Sequence, residues 1–320
     1  MVSSSGLFNP SFTGFRMPLS RRALTLSLLA LSLPMPALAQ QAAPPLALER
    51  SAVHMLTAKS NGRTYDIYVK LPPKYDAPEN AGRRYPVIYL TDGDYTFQVA
   101  SGVTRLPHNA GKLEQAILVG LPNAKGEDGM AARRRDLTPW ENPAMPGPNG
   151  GGKAFAAFIT GQVLPLIDAT YRSDPARRTF VGQSYGGLLG LWILFSQPQH
   201  FSSYLLTSPS IWYAEKALMA LEADYAKNHK ELKARLFMAT GAFEGVKKGA
   251  PSPRYNKETD MVGDQQKMAK GLRARGYKGF QVQDMVIPAT IHETTFPIGL
   301  VYGLQWLYGQ DQLSGWTPGE

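Results

Sequence analysis

The sequence predicts an α/β protein built on a mostly parallel sheet with helices on both faces. Strand-like and helix-like segments alternate along nearly the whole chain, the pattern of a parallel sheet whose crossovers are helices. Two strand-like runs, Val87-Ile88-Tyr89-Leu90 and Ile117-Leu118-Val119, are apolar without interruption. Such runs are expected where both faces of a sheet are covered. A helix-like run at 188–195, Leu-Leu-Gly-Leu-Trp-Ile-Leu-Phe, is apolar on every side and so belongs in the middle of a domain.

Taken in order, the strand-like segments fall at 52–58, 64–71, 86–91, 116–121, 179–181, 204–207, 235–239 and 281–287. Helices are expected at 155–171, 185–196, 216–229, 261–275 and 297–308. Two connections are rich in chain breakers. One is 122–152, with Pro139, Pro143, Pro146, Pro148 and a Gly150-Gly151-Gly152 run; the other is 241–264, with Pro251 and Pro253. Both follow strands, so both should emerge at the carboxyl edge of the sheet, where open α/β folds bind ligands. No repeat or linker divides the chain, and 51–320 reads as one domain.

The N-terminus reads differently. Arg21-Arg22 precedes the apolar run 23–33, and Ala37-Leu38-Ala39 follows, which together describe a secretory signal peptide over residues 1–39. The apolar run is too short for a comfortable membrane span. The Arg pair also fits a twin-Arg export signal. Residues 40–50, with Pro44 and Pro45, read as a flexible lead-in. Removing Arg16, Arg21 and Arg22 takes the net charge from +9 to +6. No Lys/Arg tract interleaved with aromatics accompanies that charge, so nucleic acid is not indicated. With no cysteine in the chain, disulfides, thiolate zinc ligands and a thiol nucleophile are excluded. The expected location is periplasmic or secreted, without a stable membrane span once the leader is cut.

Gly182-Gln183-Ser184-Tyr185-Gly186 is a Gly-x-Ser-x-Gly pentapeptide. By itself the pattern recurs by chance about once in ten chains of this length. Its context decides: Thr179-Phe180-Val181 reads as a strand before it, and the apolar helix follows at once. That is the strand-turn-helix setting of a nucleophile elbow, which exposes a serine hydroxyl above the sheet. In an α/β-hydrolase fold the acid and then the histidine follow the serine in the chain. Of five histidines, His292 comes after the last strand and before the last helix, so it is the expected base. His54, His200 and His229 are expected to be structural or solvated; His108 is placed in a loop near the carboxyl edge, as a candidate pocket residue. Glu244 is the first carboxylate beyond 235–239 and the preferred acid, with Asp260 and Asp264 as alternatives and a Ser-His pair without an acid also open. The oxyanion hole is expected from the backbone N–H of Tyr185 together with that of Asp94 or Tyr95, in the loop after 86–91.

With these residues placed, the chain resembles the putative-esterase family of α/β-hydrolases, which includes enterochelin and salmochelin esterases, feruloyl esterases, S-formylglutathione hydrolases and mycolyltransferases. The resemblance rests on Leu90-Thr91-Asp92-Gly93, on Arg133-Arg134-Arg135-Asp136-Leu137-Thr138-Pro139, on Leu164-Pro165-Leu166-Ile167-Asp168 and on Ser208-Pro209-Ser210-Ile211-Trp212. Within the family, the chain resembles the exported siderophore esterases of the IroE type. Where the family's elbow usually carries His before the serine, this chain has Gln183. The resemblance implies ester hydrolysis through an acyl-enzyme, without metal or organic cofactor, on a small-molecule ester such as a siderophore trilactone or aryl ester. An acyltransferase using the same residues and a non-catalytic binding protein are the competing readings. In the arginine run, Arg133 and Arg135 either pin their loop through ion pairs or face the pocket to bind an anionic substrate. Trp212, Tyr213 and Trp140 are candidate apolar walls for an aryl group.

Overall fold

The computed structural model describes residues 47–315 apart from Lys248, Ala250 and Pro251. The expected signal peptide and most of the expected lead-in therefore lie outside the described residues. The strands are β1 (Ser51–Thr57), β2 (Thr64–Lys70), β3 (Tyr85–Thr91), β4 (Ile117–Leu121), β5 (Ser173–Gln183), β6 (Ser203–Thr207), β7 (Glu231–Gly241) and β8 (Lys278–Ile287). The main helices are α1 (Gly93–Asn109), α2 (Gly129–Leu137), α3 (Gly152–Phe158), α4 (Leu164–Thr170), α5 (Tyr185–Ser196), α6 (Tyr213–Asn228), α7 (Met261–Arg275) and α8 (His292–Tyr308). All eight strands form one sheet in the order β1-β2-β4-β3-β5-β6-β7-β8. The β1–β2 and β2–β4 pairings are antiparallel, and the other five are parallel. The expected α/β sheet is therefore the observed one.

Period-two alternation sorts each central strand onto two cores. Val87, Tyr89, Phe180, Tyr204, Leu206, Leu236 and Met238 face α3, α4, α5, α6 and α7. Ile88, Leu90, Val181, Leu205, Phe237 and Ala239 face α1 and α8. Helix α5 is buried from Gly186 to Phe195, so truncating one of its leucines to alanine would cost about 2–5 kcal/mol.

Several segments differ from the sequence reading. Helix α1 begins directly at Gly93 and runs through Pro107 to Asn109, so Asp94, Tyr95 and His108 lie on a helix rather than in the expected loops. Helix α2 occupies part of the 122–152 connection, capped by the Asp128 side chain accepting from Ala131 N–H at 2.8 Å. The helix expected at 155–171 is interrupted by a π-helical turn over Ile159–Val163, where Leu164 N–H reaches back to Ile159 C=O. Pro165 just beyond it has no N–H to offer an α-helical partner. At the start of α6, Ala214, Glu215 and Lys216 are left-handed, a conformation costing about 1–2 kcal/mol per residue. Among the described residues, no helix is long and apolar enough to cross a membrane.

Candidate active site

Ser184 sits where central strand β5 hands over to α5, with φ 59° and ψ −115°. A non-glycine residue held there is strained, and the surroundings must over-determine it. Its N–H donates to Thr207 C=O at 3.0 Å, and its own C=O accepts from Leu188 N–H at 2.9 Å and Ser210 N–H at 3.1 Å. The turn closes only because its flanks are glycine. A Cβ on Gly182 would lie 2.3 Å from the Gly186 carbonyl carbon, and one on Gly186 would lie 2.3 Å from Thr91 Oγ1. Tyr185 opens α5, so its N–H is one of the first-turn donors without an intrahelical acceptor.

Glu244 ends a short 3₁₀ turn, Ala242–Glu244, directly after β7, and its side chain is buried. One carboxylate oxygen accepts from Ser208 Oγ at 2.6 Å, Gly241 N–H at 2.9 Å and Thr295 Oγ1 at 2.8 Å. The other meets His292 Nδ1 at 2.5 Å. Burial alone would push this carboxyl's pKa up. The hydrogen bonds from His292 and Ser208, the His292 charge and the Gly241 N–H outweigh it and hold the carboxyl below its ordinary range. Asp260 and Asp264, the alternatives, are engaged elsewhere. Asp260 caps α7 by accepting from Gly263 N–H at 3.0 Å, and Asp264 is buried against Lys216 Nζ at 2.5 Å.

His292 opens α8 after β8, and its imidazole is about one-third exposed. Gln183 holds it from behind: Nε2 donates to His292 C=O at 2.7 Å, while Oε1 accepts from the Tyr95 hydroxyl. Ser184, Glu244 and His292 line one cleft of about 570 Å³ at the carboxyl edge of the sheet. Among the described residues, the hydrogen bond on Ser184 Oγ goes to Ser210 Oγ at 3.3 Å, and none joins it to His292.

The walls sort the remaining candidates. Arg133 and Trp212 line the cleft. Arg133 Nε donates to buried Asp92 Oδ1 at 2.6 Å, its Nη2 donates to Gln183 C=O at 3.1 Å, and the guanidinium stands 5.3 Å from the centre of the Tyr185 ring. Arg135 is turned away: it is buried, forks onto Asp136 at 2.8 and 2.9 Å, and also pairs with Glu127. Tyr213 is also buried away from the cleft, its hydroxyl donating toward Trp140 C=O and Asn149 Oδ1. His108 lies near the far end of α1, roughly 22 Å along the helix from Gly93, in a separate cavity with Lys70 and Thr104. Nor do Asp94 and Tyr95 line the cleft. They border a neighbouring cavity beyond Arg133 and Met130, and the Tyr95 N–H is already given to Asp92 C=O at 3.1 Å. The α-helical start at Gly93 spends that donor, which a loop would have left free.

Sequence reasoning passed over Ser210, Phe243 and Arg254, which line the cleft, and Ser208 and Thr295, which serve Glu244. Arg254 lies over the Phe243 ring at 5.8 Å, and Phe243 meets Tyr255 edge-on at 5.0 Å. Only the Ser208-Pro209-Ser210 run carried a signal, as part of the family resemblance. Among the described residues no group of three or more His, Cys, Asp or Glu side chains could hold a metal.

Comparison with known proteins agrees with this architecture. The Putative esterase family matches residues 58–249, a stretch that includes Ser184 and Glu244. The ferri-bacillibactin esterase BesA of Bacillus subtilis is 30% identical over 210 residues, covering 60% of this chain and 70% of its own. A siderophore triacetylfusarinine C esterase of Aspergillus fumigatus is 35% identical over 158 residues, 48% of this chain and 53% of its own. In fold, the chain superposes on the BES protein of Bacillus cereus with a TM-score of 0.70 at 23% identity, over 83% of this chain and 97% of that one. An IroE-like serine hydrolase of Shewanella oneidensis gives 0.67 at 23% identity, over 79% and 78%. The chain belongs to the putative esterase family and is a carboxylic ester hydrolase.

Proposed function

We propose that this protein is an exported serine esterase that cleaves siderophore-type esters through an acyl-enzyme on Ser184. The observation that carries the reading is the convergence of Ser184, His292 and Glu244 on one cleft, with His292 Nδ1 bonded to a buried carboxylate. In this reading Glu244 fixes the tautomer that leaves Nε2 free as the base and stabilises the imidazolium that forms. Ser184 Oγ gives up its proton to His292 and attacks the ester carbon. The Tyr185 N–H receives the oxyanion, and the nearby Arg133 guanidinium adds positive potential there. His292 returns the proton to the leaving alcohol, and water then releases the acid by the reverse sequence.

Two features support an aryl, anionic ester. Arg254 brings a cation to the cleft beside the Arg133–Asp92 pair, and Trp212 and Phe243 supply flat apolar walls. Cations and aromatic faces together suit catecholate groups, and the relatives named above include esterases of siderophores. Export rests on the charged start, apolar run and Ala-x-Ala site of residues 1–39; a single catalytic domain over 51–320 is part of the same proposal.

The test is hydrolysis of p-nitrophenyl acetate and butyrate by the wild type and Ser184→Ala. A loss of 1,000-fold or more with the fold intact is expected, and equal rates would remove Ser184 from the mechanism. A panel of ferric and iron-free triscatecholate trilactones, feruloyl esters and acetylated sugars then ranks substrates by kcat/KM.

A further inference from the structure

The segment Ser208-Pro209-Ser210 places one hydroxyl on each end of the proposed catalytic chain. Ser208 Oγ donates to Glu244 at 2.6 Å, while Ser210 Oγ lies 3.3 Å from Ser184 Oγ. The segment has little freedom. Ser208 is left-handed at φ 43°, its N–H is bound to Ala239 C=O at 2.7 Å, and Ser210 N–H is bound to Ser184 C=O at 3.1 Å. A Cβ on Gly187 would stand 2.9 Å from Pro209 Cα, so α5 and this segment are in direct backbone contact. Ser210 is 1% exposed yet borders the cleft, so bulk water does not compete for its hydroxyl. Its neighbour is the very oxygen that forms and breaks the bond to the acyl group.

We propose that Ser210 is a further catalytic residue, acting mainly in the second half of the reaction. The inference rests on the serine-esterase reading above. In deacylation, water adds to the acyl carbonyl carbon and its proton passes to His292 Nε2. The tetrahedral intermediate then collapses: the C–Oγ bond breaks, its electron pair moves onto Ser184 Oγ, and the imidazolium proton returns to that oxygen. The Ser210 hydroxyl donates a hydrogen bond to Oγ as the electron pair arrives, which lowers the barrier to its departure. At 3.3 Å the contact is long for a hydroxyl pair, and it shortens as charge grows on the acceptor. In the first half of the reaction the same donor quiets the lone pair that must attack, so its net effect on acylation is small.

The experiment measures acylation and deacylation separately in the full chain. Rapid mixing with p-nitrophenyl butyrate follows p-nitrophenol release, and acid-quenched intact-mass spectra follow the butyryl adduct. Ser210→Ala is expected to lower the deacylation constant about 10- to 100-fold while changing the acylation constant less than threefold. The adduct then accumulates, and kcat and KM fall together. Ser210→Cys, a weak donor of similar shape, is expected to fall between the two. Equal changes in both constants, no change in either, or a larger change in acylation overturns the role. A wild-type chain that never carries the butyryl mass removes the acyl-enzyme reading itself, which separates the two failures.

Discussion

His292 Nδ1 and Glu244 Oε2 meet at 2.5 Å across 48 residues of sequence, and every other hydrogen bond to that carboxylate falls on its second oxygen. The Glu244 carboxylate is therefore a fixed part of the fold that presents one free edge to the histidine. Glu244→Gln keeps the volume and the acceptor for Ser208 but turns an N–H₂ toward the imidazole. We expect kcat to fall 100- to 10,000-fold with the fold intact. Near-wild-type turnover would take Glu244 out of the catalytic chain. Glu244→Ala also strands the three donors on Oε1 and should cost about 2–4 kcal/mol in denaturant unfolding.

The same carboxylate predicts an acid limb. Its pKa in the folded protein lies below the ordinary 4.5, so its contribution to stability is complete above 4.5. That contribution disappears as pH falls through the lower, folded value. Unfolding free energies measured from pH 6 to pH 2 should show a steeper acid decline in the wild type than in Glu244→Gln. Parallel curves would refute the assignment.

His108 contributes in a different window. Burial lowers its pKa from 6.5 to about 4, helped by the Arg83 charge. Between these values the unfolded chain binds a proton that the folded chain refuses, so stability falls as pH drops from 6.5 to 4 and then levels off for this group. The size is about 3 kcal/mol. His108→Leu should flatten the stability curve in that range, and esterase activity at pH 8 should be unaffected because His108 is remote from the cleft.

Arg135 and Arg254 should separate folding from recognition. Arg135→Met leaves Asp136 buried without its cation and should cost about 3–5 kcal/mol, with KM unchanged for the molecules that fold. Arg254→Ala removes an exposed cation from the cleft wall. It should raise KM about 5- to 10-fold for a catecholate ester while leaving p-nitrophenyl acetate turnover within twofold. Equal effects on both substrates would argue against a charge-recognition role.

Much of this architecture was legible in the sequence because it depends on local pattern. The continuous apolar runs located β3 and β4, and the glycines around Ser184 located the elbow. Chain order singled out His292. What escaped depends on how elements meet. Positions 94, 95 and 108 read as loop, yet Thr96 Oγ1 bonds to Thr91 C=O at 2.7 Å and helps α1 start at once. Arg133 and Arg135 are two residues apart on α2, so they point to different sides, one bordering the cleft and the other buried on Asp136. No single-residue signal told them apart. Ser210 was visible only as part of a recurring stretch, and its contact with Ser184 exists only after β6 is laid beside β5.

Helix α5 has no solvent face, and the strained serine is its first contact with the outside. In the proposed mechanism the reactive hydroxyl is thus an outcrop of the core, and changes to the chemistry are paid for in folding. The walls are different in kind: the Met130 and Arg254 side chains are exposed and belong to neither core. A lineage built this way can change its diet by rewriting the rim while the engine stays put. Laboratory selection for a new ester should accordingly accumulate substitutions at Met130 and in residues 252–259, and spare Glu244 and 182–195.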